Sequence, residues 1–131
     1  KIEMIEIAAS THKNDPRRYV VEEGERLLAR VRDNDWLVAL DEYGRGWSTV
    51  DLAKRLDEWQ MKGSDVVFAI GGSDGLSDAV FSRADERASL SALTFPHHMV
   101  KVILAEALYR AWTINNGHPY HRASPRGRQR T

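Results

Sequence analysis

The chain has 131 residues, equal numbers of basic and acidic residues (19 each) and no cysteine. The length suits a single domain with its own core, and the lack of cysteine excludes disulfides and thiolate metal sites. No apolar run approaches the roughly 20 residues that span a bilayer, so we expect a soluble, cytoplasmic protein without a membrane partner.

The first part of the chain predicts a helix between two strands. Residues 2–7, IEMIEI, are apolar and partly β-branched, which favours a strand. Asp15 followed by Pro16 is a helix start signal, because Asp can cap the first turn and proline fits its first position. Residues 36–41, WLVALD, predict the next strand.

A second helix and a buried strand follow. Ser48 with Asp51 three residues later predicts a capped helix start, and Gly63 predicts the end of that helix. Residues 65–70, DVVFAI, form an apolar run, which is typical of a strand covered on both faces.

The remaining elements are a short helix from Ser77, a brief strand near residues 89–93 and a long helix over about residues 97–115. Strands that alternate with helices in this way are typical of a largely parallel sheet with helices on its faces. We therefore predict an α/β fold, with a single domain over residues 1–121.

Three loops each follow a predicted strand and precede a helix: residues 41–48, 71–77 and 90–98. Because ligands bind outside the carboxyl ends of parallel strands, these loops are expected to share one crevice. Gly71 and Gly72 would let the backbone approach a ligand closely. Their spacing matches neither a dinucleotide fingerprint nor a P-loop, and they could equally form only a tight turn.

Polar residues cluster after the last predicted helix. His118, Tyr120 and His121 stand in a turn fixed by Pro119, and Arg110 lies on the helix before them. No carboxylate or thiolate accompanies the histidines at ligand spacing, so we expect no metal. Two imidazoles and a phenol beside an arginine better suit binding of phosphate and base, or proton transfer, while a structural role for Tyr120 stays open.

The last ten residues differ in charge from the rest. Residues 122–131 hold four arginines and no acidic residue, which leaves the preceding part of the chain with a net charge of −4. A segment of this composition is usually disordered and can contact phosphates. We expect a basic C-terminal tail that either binds phosphates or is simply solvated.

Four stretches of the sequence carry a family resemblance. They are LVALD, MKGSDVVFAIGGSDGLS, ASLSALTFPHHMVKVILAEALYRAW and NNGHPYHR. In this order they closely resemble the RlmH family, which are SPOUT-class methyltransferases of ribosomal RNA. The resemblance covers nearly the whole chain, and its most specific part precedes the basic tail.

The resemblance implies a deep trefoil knot near the C-terminal end and a homodimer that binds S-adenosylmethionine among the knot loops. It also implies methylation of N3 of a pseudouridine in a stem-loop of 23S ribosomal RNA, with assembled ribosomes as the preferred substrate. A catalytically inactive, knotted RNA-binding or ribosome-associated module is the alternative. On the last helix, residues at spacings of three and four are available for core or partner contact. They are Ile103, Ala107, Ala111 and Ile114.

The family's site residues carry over by position, and the loop argument adds Gly71. The expected cofactor-binding residues are Leu40, Gly71, Gly72, Ser91, Ala92, Leu93, Thr94, Phe95 and Pro96. The residues expected to bind RNA are His118, Tyr120, His121 and Arg122. The expected catalytic residues are His121, Tyr120 and Arg110, with His121 or Tyr120 receiving the proton from N3.

Three features depart from the family pattern. Family members have another strand and helix ahead of the residues that begin here at Lys1, which predicts an exposed sheet edge or a shortened form. The glycine loop has Ser73 and Asp74 where the family commonly has Pro and Glu, so we expect a freer loop. The basic tail beyond Arg122 extends past the usual family ending.

Overall fold

A computed structural model of the chain describes residues 1–6, 15–71, 75–91, 93 and 95–121. Within these ranges, four strands alternate with four helices. They are β1 (Ile2–Glu6), α1 (Pro16–Leu28), β2 (Trp36–Gly46), α2 (Thr49–Lys62), β3 (Val66–Ile70), α3 (Asp78–Arg83), β4 (Glu86–Ser89) and α4 (His97–Asn115).

The strands form one parallel sheet in the order β1-β3-β2-β4. β3 lies inside the sheet, where Phe68 is opposite both Met4 of β1 and Val38 of β2. Every residue of β3 is buried, as its apolar sequence predicts for a strand covered on both faces. The predicted α/β class with a parallel sheet is confirmed.

Helices cover both faces of the sheet. α2 and α4 pack together over one face, where Trp59, Phe68 and Leu104 belong to the same buried cluster. α1 and α3 pack over the other face, where Leu27 and Val80 are buried. Alternate residues of each strand thus serve two separate apolar layers, which fixes the orientation of the sheet.

The predicted ends of α2 are confirmed in atomic detail. The backbone N–H of Asp51 donates to Oγ of Ser48 at 3.0 Å, and the Ser48 N–H donates back to Oδ2 of Asp51 at 3.1 Å. Gly63 ends the helix at a φ of 74°, in the left-handed region that favours glycine. The start of α1 is also as predicted, with Asp15 accepting from the Arg18 N–H at 3.4 Å.

Two strands differ from their predicted bounds. β2 continues to Gly46, where a loop from residue 41 was expected, and β4 spans Glu86–Ser89, where a strand near residues 89–93 was expected. β4 begins at an acidic residue because the Glu86 carboxylate accepts the indole N–H groups of Trp36 and Trp59, at 2.5 and 3.0 Å. Arg55 of α2 also pairs with this carboxylate. Tertiary partners therefore override the low strand preference of this sequence.

Candidate functional site

A cleft of about 870 Å³ opens at the carboxyl end of the sheet. Its walls come from the ends of β2 and β3, from the segment between β4 and α4, and from the first turn of α4. The loops that follow the parallel strands therefore converge as predicted. The volume lies within the range of roughly 300 to 1,000 Å³ that is usual for small-molecule sites.

All of the described residues expected to bind a cofactor line this cleft. They are Leu40, Gly71, Ser91, Leu93, Phe95 and Pro96. The expected residues Gly72, Ala92 and Thr94 lie outside the described part of the chain, as do Ser73 and Asp74.

Hydroxyl groups fix one wall of the cleft after β4. Ser89 Oγ donates to the Ser91 carbonyl at 2.8 Å and accepts from the Ser91 N–H at 3.2 Å. The Leu93 N–H then donates to Ser91 Oγ at 3.0 Å. These side-chain turns hold the backbone in place without secondary structure, and they leave the Leu93 side chain exposed at the cleft.

The turn after β3 is tight for an internal reason. A Cβ on Gly71 would lie 2.8 Å from the carbonyl carbon of Gly75, so the close approach at Gly71 is made by the loop's own backbone. Gly75 has a φ of 83°, which a side chain would strain. The structure therefore gives these two glycines the role of a tight turn, and Gly71 also lines the cleft.

A bulge in β2 forms a further part of the cleft lining. Leu40 and Arg45 are both opposite Ala88 of β4, so residues 41–44 leave the ladder between them. A Cβ on Gly44 would lie 2.7 Å from the Ala88 carbonyl carbon, so only glycine fits where the bulge crosses β4. Bulges next to binding sites commonly redirect a side chain, and this one places residues 41–43 along the cleft.

A side-chain network anchors the bulge to the sheet. Arg87 of β4 donates to Oδ2 of Asp41 from Nε at 2.9 Å and from Nη2 at 2.5 Å. The same guanidinium lies over the ring of Phe81, 4.1 Å from its centroid. Asp41 Oδ2 also accepts the Tyr43 N–H at 3.2 Å. The start of the bulge is thus tied to both β4 and α3.

The predicted C-terminal cluster is assembled on α4. The Tyr120 hydroxyl donates to Oε2 of Glu106 at 2.9 Å, and Arg110 Nε donates to Oε1 of the same carboxylate at 2.9 Å. A second nitrogen of Arg110 is 3.2 Å from Nδ1 of His121, and the Tyr120 ring packs edge-on against Tyr109. Arg110, Tyr120 and His121 therefore lie together, as expected.

Hydrogen bonds at Glu106 shift the pKa values of two groups in this cluster, Glu106 itself and Tyr120. The hydrogen bond from Arg110, followed by that from Tyr120, holds the pKa of the Glu106 carboxyl below its usual range. The hydrogen bond to the Glu106 carboxylate raises the pKa of the Tyr120 phenol. Tyr120 is therefore a hydrogen-bond donor at neutral pH, and not a base.

The contact between Arg110 and His121 selects a tautomer of the imidazole. A guanidinium only donates hydrogen bonds, so Nδ1 of His121 must accept, which leaves the ring proton on Nε2. In this arrangement His121 presents an N–H donor to its surroundings. His118 is hydrogen-bonded within its own turn, since its Nδ1 accepts the Tyr120 N–H at 3.2 Å. The expected RNA-binding residue Arg122 lies outside the described residues.

The cluster and the cleft lie at different points along α4. His98 lines the cleft at the start of the helix, whereas Glu106 and Arg110 follow about 12 and 18 Å along the helix axis. Within the described residues, Tyr120 and His121 do not line the cleft. One chain therefore holds two separate groups of candidate site residues.

Several further residues that line the cleft lie in the loops predicted to share it, although they were not among the expected cofactor-binding residues. They are Asp41, Glu42, Tyr43, Leu76 and His98. Sequence reasoning missed Phe81 and Val100, which lie outside these loops. Both reach the cleft from helices, and their positions depend on packing that periodicity does not reveal.

Two kinds of feature, metal-binding groups and membrane-spanning helices, are absent from the described residues. Across the described ranges, no group of three His, Asp or Glu side chains is arranged to hold a metal ion. In the same part of the chain, no helix combines the length and hydropathy of a membrane span.

Comparison with known proteins gives a family match and curated relatives. The family model described as "Predicted SPOUT methyltransferase" matches residues 1–121. The protein named Ribosomal RNA large subunit methyltransferase H from Hahella chejuensis is 47% identical over 123 residues, which cover 92% of this chain and 79% of that protein. The Pseudomonas fluorescens protein of the same name is 46% identical with the same coverage. That of Methylococcus capsulatus is 52% identical over 86% of this chain and 72% of its own length.

Proposed function

The chain belongs to the SPOUT methyltransferase family, and from that membership we propose that it transfers a methyl group from S-adenosylmethionine to large-subunit ribosomal RNA. Similarity to proteins named for this reaction over 92% of the chain is the observation that carries the proposal. The RlmH resemblance makes the proposal more specific, with N3 of a pseudouridine in 23S RNA as the acceptor. Assembled ribosomes as substrate imply a cytoplasmic location.

The cleft at the sheet edge suits the cofactor. Its apolar walls, formed by Leu40, Leu93 and Phe95, can contact an adenine ring, and Gly71 and Ser91 add polar groups to the lining. A ligand of this size fits the volume of about 870 Å³. In SPOUT proteins the cofactor lies among knot loops, so we also propose that the segment before α4 belongs to a trefoil knot.

S-Adenosylmethionine supplies an activated sulfonium methyl group. Held beside Leu40, Leu93 and Phe95, it would supply this methyl group to N3, and the N3 proton would be released. The protein then has to hold N3 in line with the methyl carbon and lead the proton away. Because His121 presents an N–H donor at Nε2, we propose that it binds an RNA oxygen atom in the ground state, while the Tyr120 hydroxyl, whose proton is donated to Glu106, can accept a hydrogen bond from RNA.

A second copy of the chain would bring the C-terminal cluster to a cleft. The cluster begins about 9 Å along α4 from Val100, the last residue of that helix that lines the cleft, and Tyr120 and His121 do not line the cleft of their own chain. We therefore propose a homodimer in which each site combines the cleft of one protomer with the cluster of the other.

The outer face of α4 supports this dimer. Met99, Val102, Tyr109 and Trp112 are 43 to 63% exposed, and their spacing puts them along one stripe of the helix. The stripe predicted from the sequence was available for core or partner contact, and three of its residues, Ala107, Ala111 and Ile114, pack against the core. An exposed stripe of large apolar side chains is typical of a protein interface.

Methylation of ribosomes with radiolabelled cofactor tests the proposal. Single-turnover incorporation into large-subunit RNA, followed by mapping of the modified nucleotide, should give one methyl group per ribosome at one pseudouridine. Ribosomes already carrying that methyl group are the control and should accept none. Binding of ribosomes without any methyl transfer would instead identify the inactive RNA-binding module.

A further inference from the structure

The side chain of Tyr43 is 82% exposed although it lies on the wall of a deep cleft. Burying an aromatic ring is favourable, and an isolated exposed tyrosine needs no explanation on an ordinary surface. Here, however, the exposure of Tyr43 results from a bulge in the backbone of β2. Tyr43 belongs to the bulge of residues 41–44, which leaves the ladder between Leu40 and Arg45.

The bulge is held in one position at three points. Arg87 binds Asp41 and is itself packed on Phe81. Asp41 accepts the Tyr43 N–H, and Gly44 lies against the Ala88 backbone with no room for a side chain. An exposed aromatic ring on a backbone fixed in this way loses little conformational freedom when a ligand packs against it.

We propose that Tyr43 is a stacking platform for an unpaired base of the RNA substrate at the mouth of the cleft. Single-stranded bases that leave their helix are commonly stacked on exposed aromatic side chains. The proposal rests on the proposed function, and it adds Tyr43 as a substrate-binding residue in the lining of the cleft.

The surroundings of Tyr43 include one arginine that suits a nucleic acid. Arg45, two residues after Tyr43, is exposed and can bind a phosphate group beside a stacked base. Arg87 packs on Phe81, on the other face of the sheet, and its charge is paired with that of Asp41.

Other occupants fit less well. A cofactor adenine would be mostly enclosed, which suits the apolar walls near Leu40 better than a ring that is 82% exposed at the rim. A protein partner would need roughly 800 Å² of surface, whereas the neighbours of Tyr43 in the bulge, Glu42 and Gly44, provide no further apolar area.

Three substitutions separate stacking from other roles. Tyr43→Phe keeps the aromatic ring, Tyr43→Leu keeps apolar volume without a flat ring, and Tyr43→Ala removes both. We expect Tyr43→Phe to resemble the wild type, and Tyr43→Leu and Tyr43→Ala to bind substrate roughly 5- to 150-fold more weakly, as expected for the loss of one stacked base. The loss should raise KM for ribosomes in methylation assays, while kcat and the Kd for S-adenosylmethionine stay unchanged.

A binding titration completes the test without relying on catalysis. The Kd is measured by fluorescence anisotropy for a labelled single-stranded oligonucleotide and for a fully paired duplex of equal length. If Tyr43→Leu weakens binding of the single strand and leaves binding of the duplex unchanged, the result supports Tyr43 as a stacking platform. Full retention of single-strand affinity by Tyr43→Leu, an equal loss for the duplex, or a parallel loss of cofactor affinity would each overturn it. Wild-type protein that fails to methylate ribosomes would contradict the proposed function, and the titration would still decide the role of Tyr43.

Discussion

The hydroxyl of Tyr120 donates a 2.9 Å hydrogen bond to Glu106, which precedes it by fourteen residues on α4. This contact folds the C-terminal turn back onto the helix and brings His121 to Arg110. Hydrogen bonds from Arg110 and then from Tyr120 lower the pKa of Glu106. The bond to Glu106 raises the pKa of Tyr120.

The pH dependence of this contact follows from the two shifts. The Glu106 pKa is lowered, so its stabilising contribution is present above its ordinary value of 4.5 and is lost as pH falls through the folded value. The Tyr120 pKa is raised, so its contribution is present below 10.0 and is lost as pH rises through the folded value. We expect Glu106→Gln to move the Tyr120 pKa back toward 10.0. NMR titration of ¹³C-labelled tyrosine measures this, with Glu58→Gln as the control that leaves Tyr120 unchanged.

The exposed stripe of α4 predicts how the dimer can be disrupted. Val102→Glu or Trp112→Glu should give monomers, because each places a charge in an apolar contact. Met61→Glu is the matched control, since Met61 is 88% exposed on α2 and should leave the assembly unchanged. Sedimentation velocity at micromolar concentration distinguishes these outcomes. A wild-type protein that sediments as a monomer would remove the basis for the dimer.

The tight turn after β3 predicts a link between loop packing and cofactor affinity. Gly71→Ala introduces a Cβ 2.8 Å from the Gly75 backbone, so the loop must shift, at a cost of about 1 to 3 kcal/mol. We expect calorimetry to show at least roughly tenfold weaker binding of S-adenosylmethionine. Gly46→Ala is the control, because nothing lies within 4 Å of its added Cβ. Equal cofactor affinity in a folded Gly71→Ala protein would argue against a cofactor at this turn.

The buried carboxylate of Glu86 predicts a large effect on stability. Glu86→Ala leaves two indole N–H groups and Arg55 without their shared acceptor, so we expect a loss of about 2 to 4 kcal/mol. Glu58→Ala removes a more exposed partner of the same Arg55 and should cost about 0.5 kcal/mol or less. Urea unfolding of both variants measures the difference. Comparable losses would mean that Glu86 does not anchor β4.

The sequence predicts those features of the fold that depend on neighbours along the chain. The apolar run of β3 and the capping of α2 by Ser48 and Asp51 are local patterns, and both are found. The strand at Glu86 and the bulge after Leu40 depend on partners that are distant in sequence, namely Trp59 and Ala88. Local propensity carries no information about such partners.

The candidate site likewise has one part that the sequence predicts and another that it does not. The rule that ligands bind beyond parallel strands predicts the cleft near Leu40, Gly71 and Ser91. It does not predict that α4 separates this cleft from Arg110 and Tyr120, because that separation depends on how the helix lies against the sheet. The homodimer is implied by the family resemblance, and the separation along α4 adds the proposal that two protomers share each site.

Mixing two defective proteins tests most directly whether methyl transfer uses the cleft of one protomer and the cluster of the other. Gly71→Val impairs the cleft and Arg110→Ala impairs the cluster, and each homodimer should be inactive on ribosomes while still folded and dimeric. After subunit exchange, half of the dimers carry both substitutions on different chains, and each of these has one intact site. We therefore expect recovery of about a quarter of wild-type methylation. An exchanged mixture that stays inactive, beside an active wild type, would contradict the shared site.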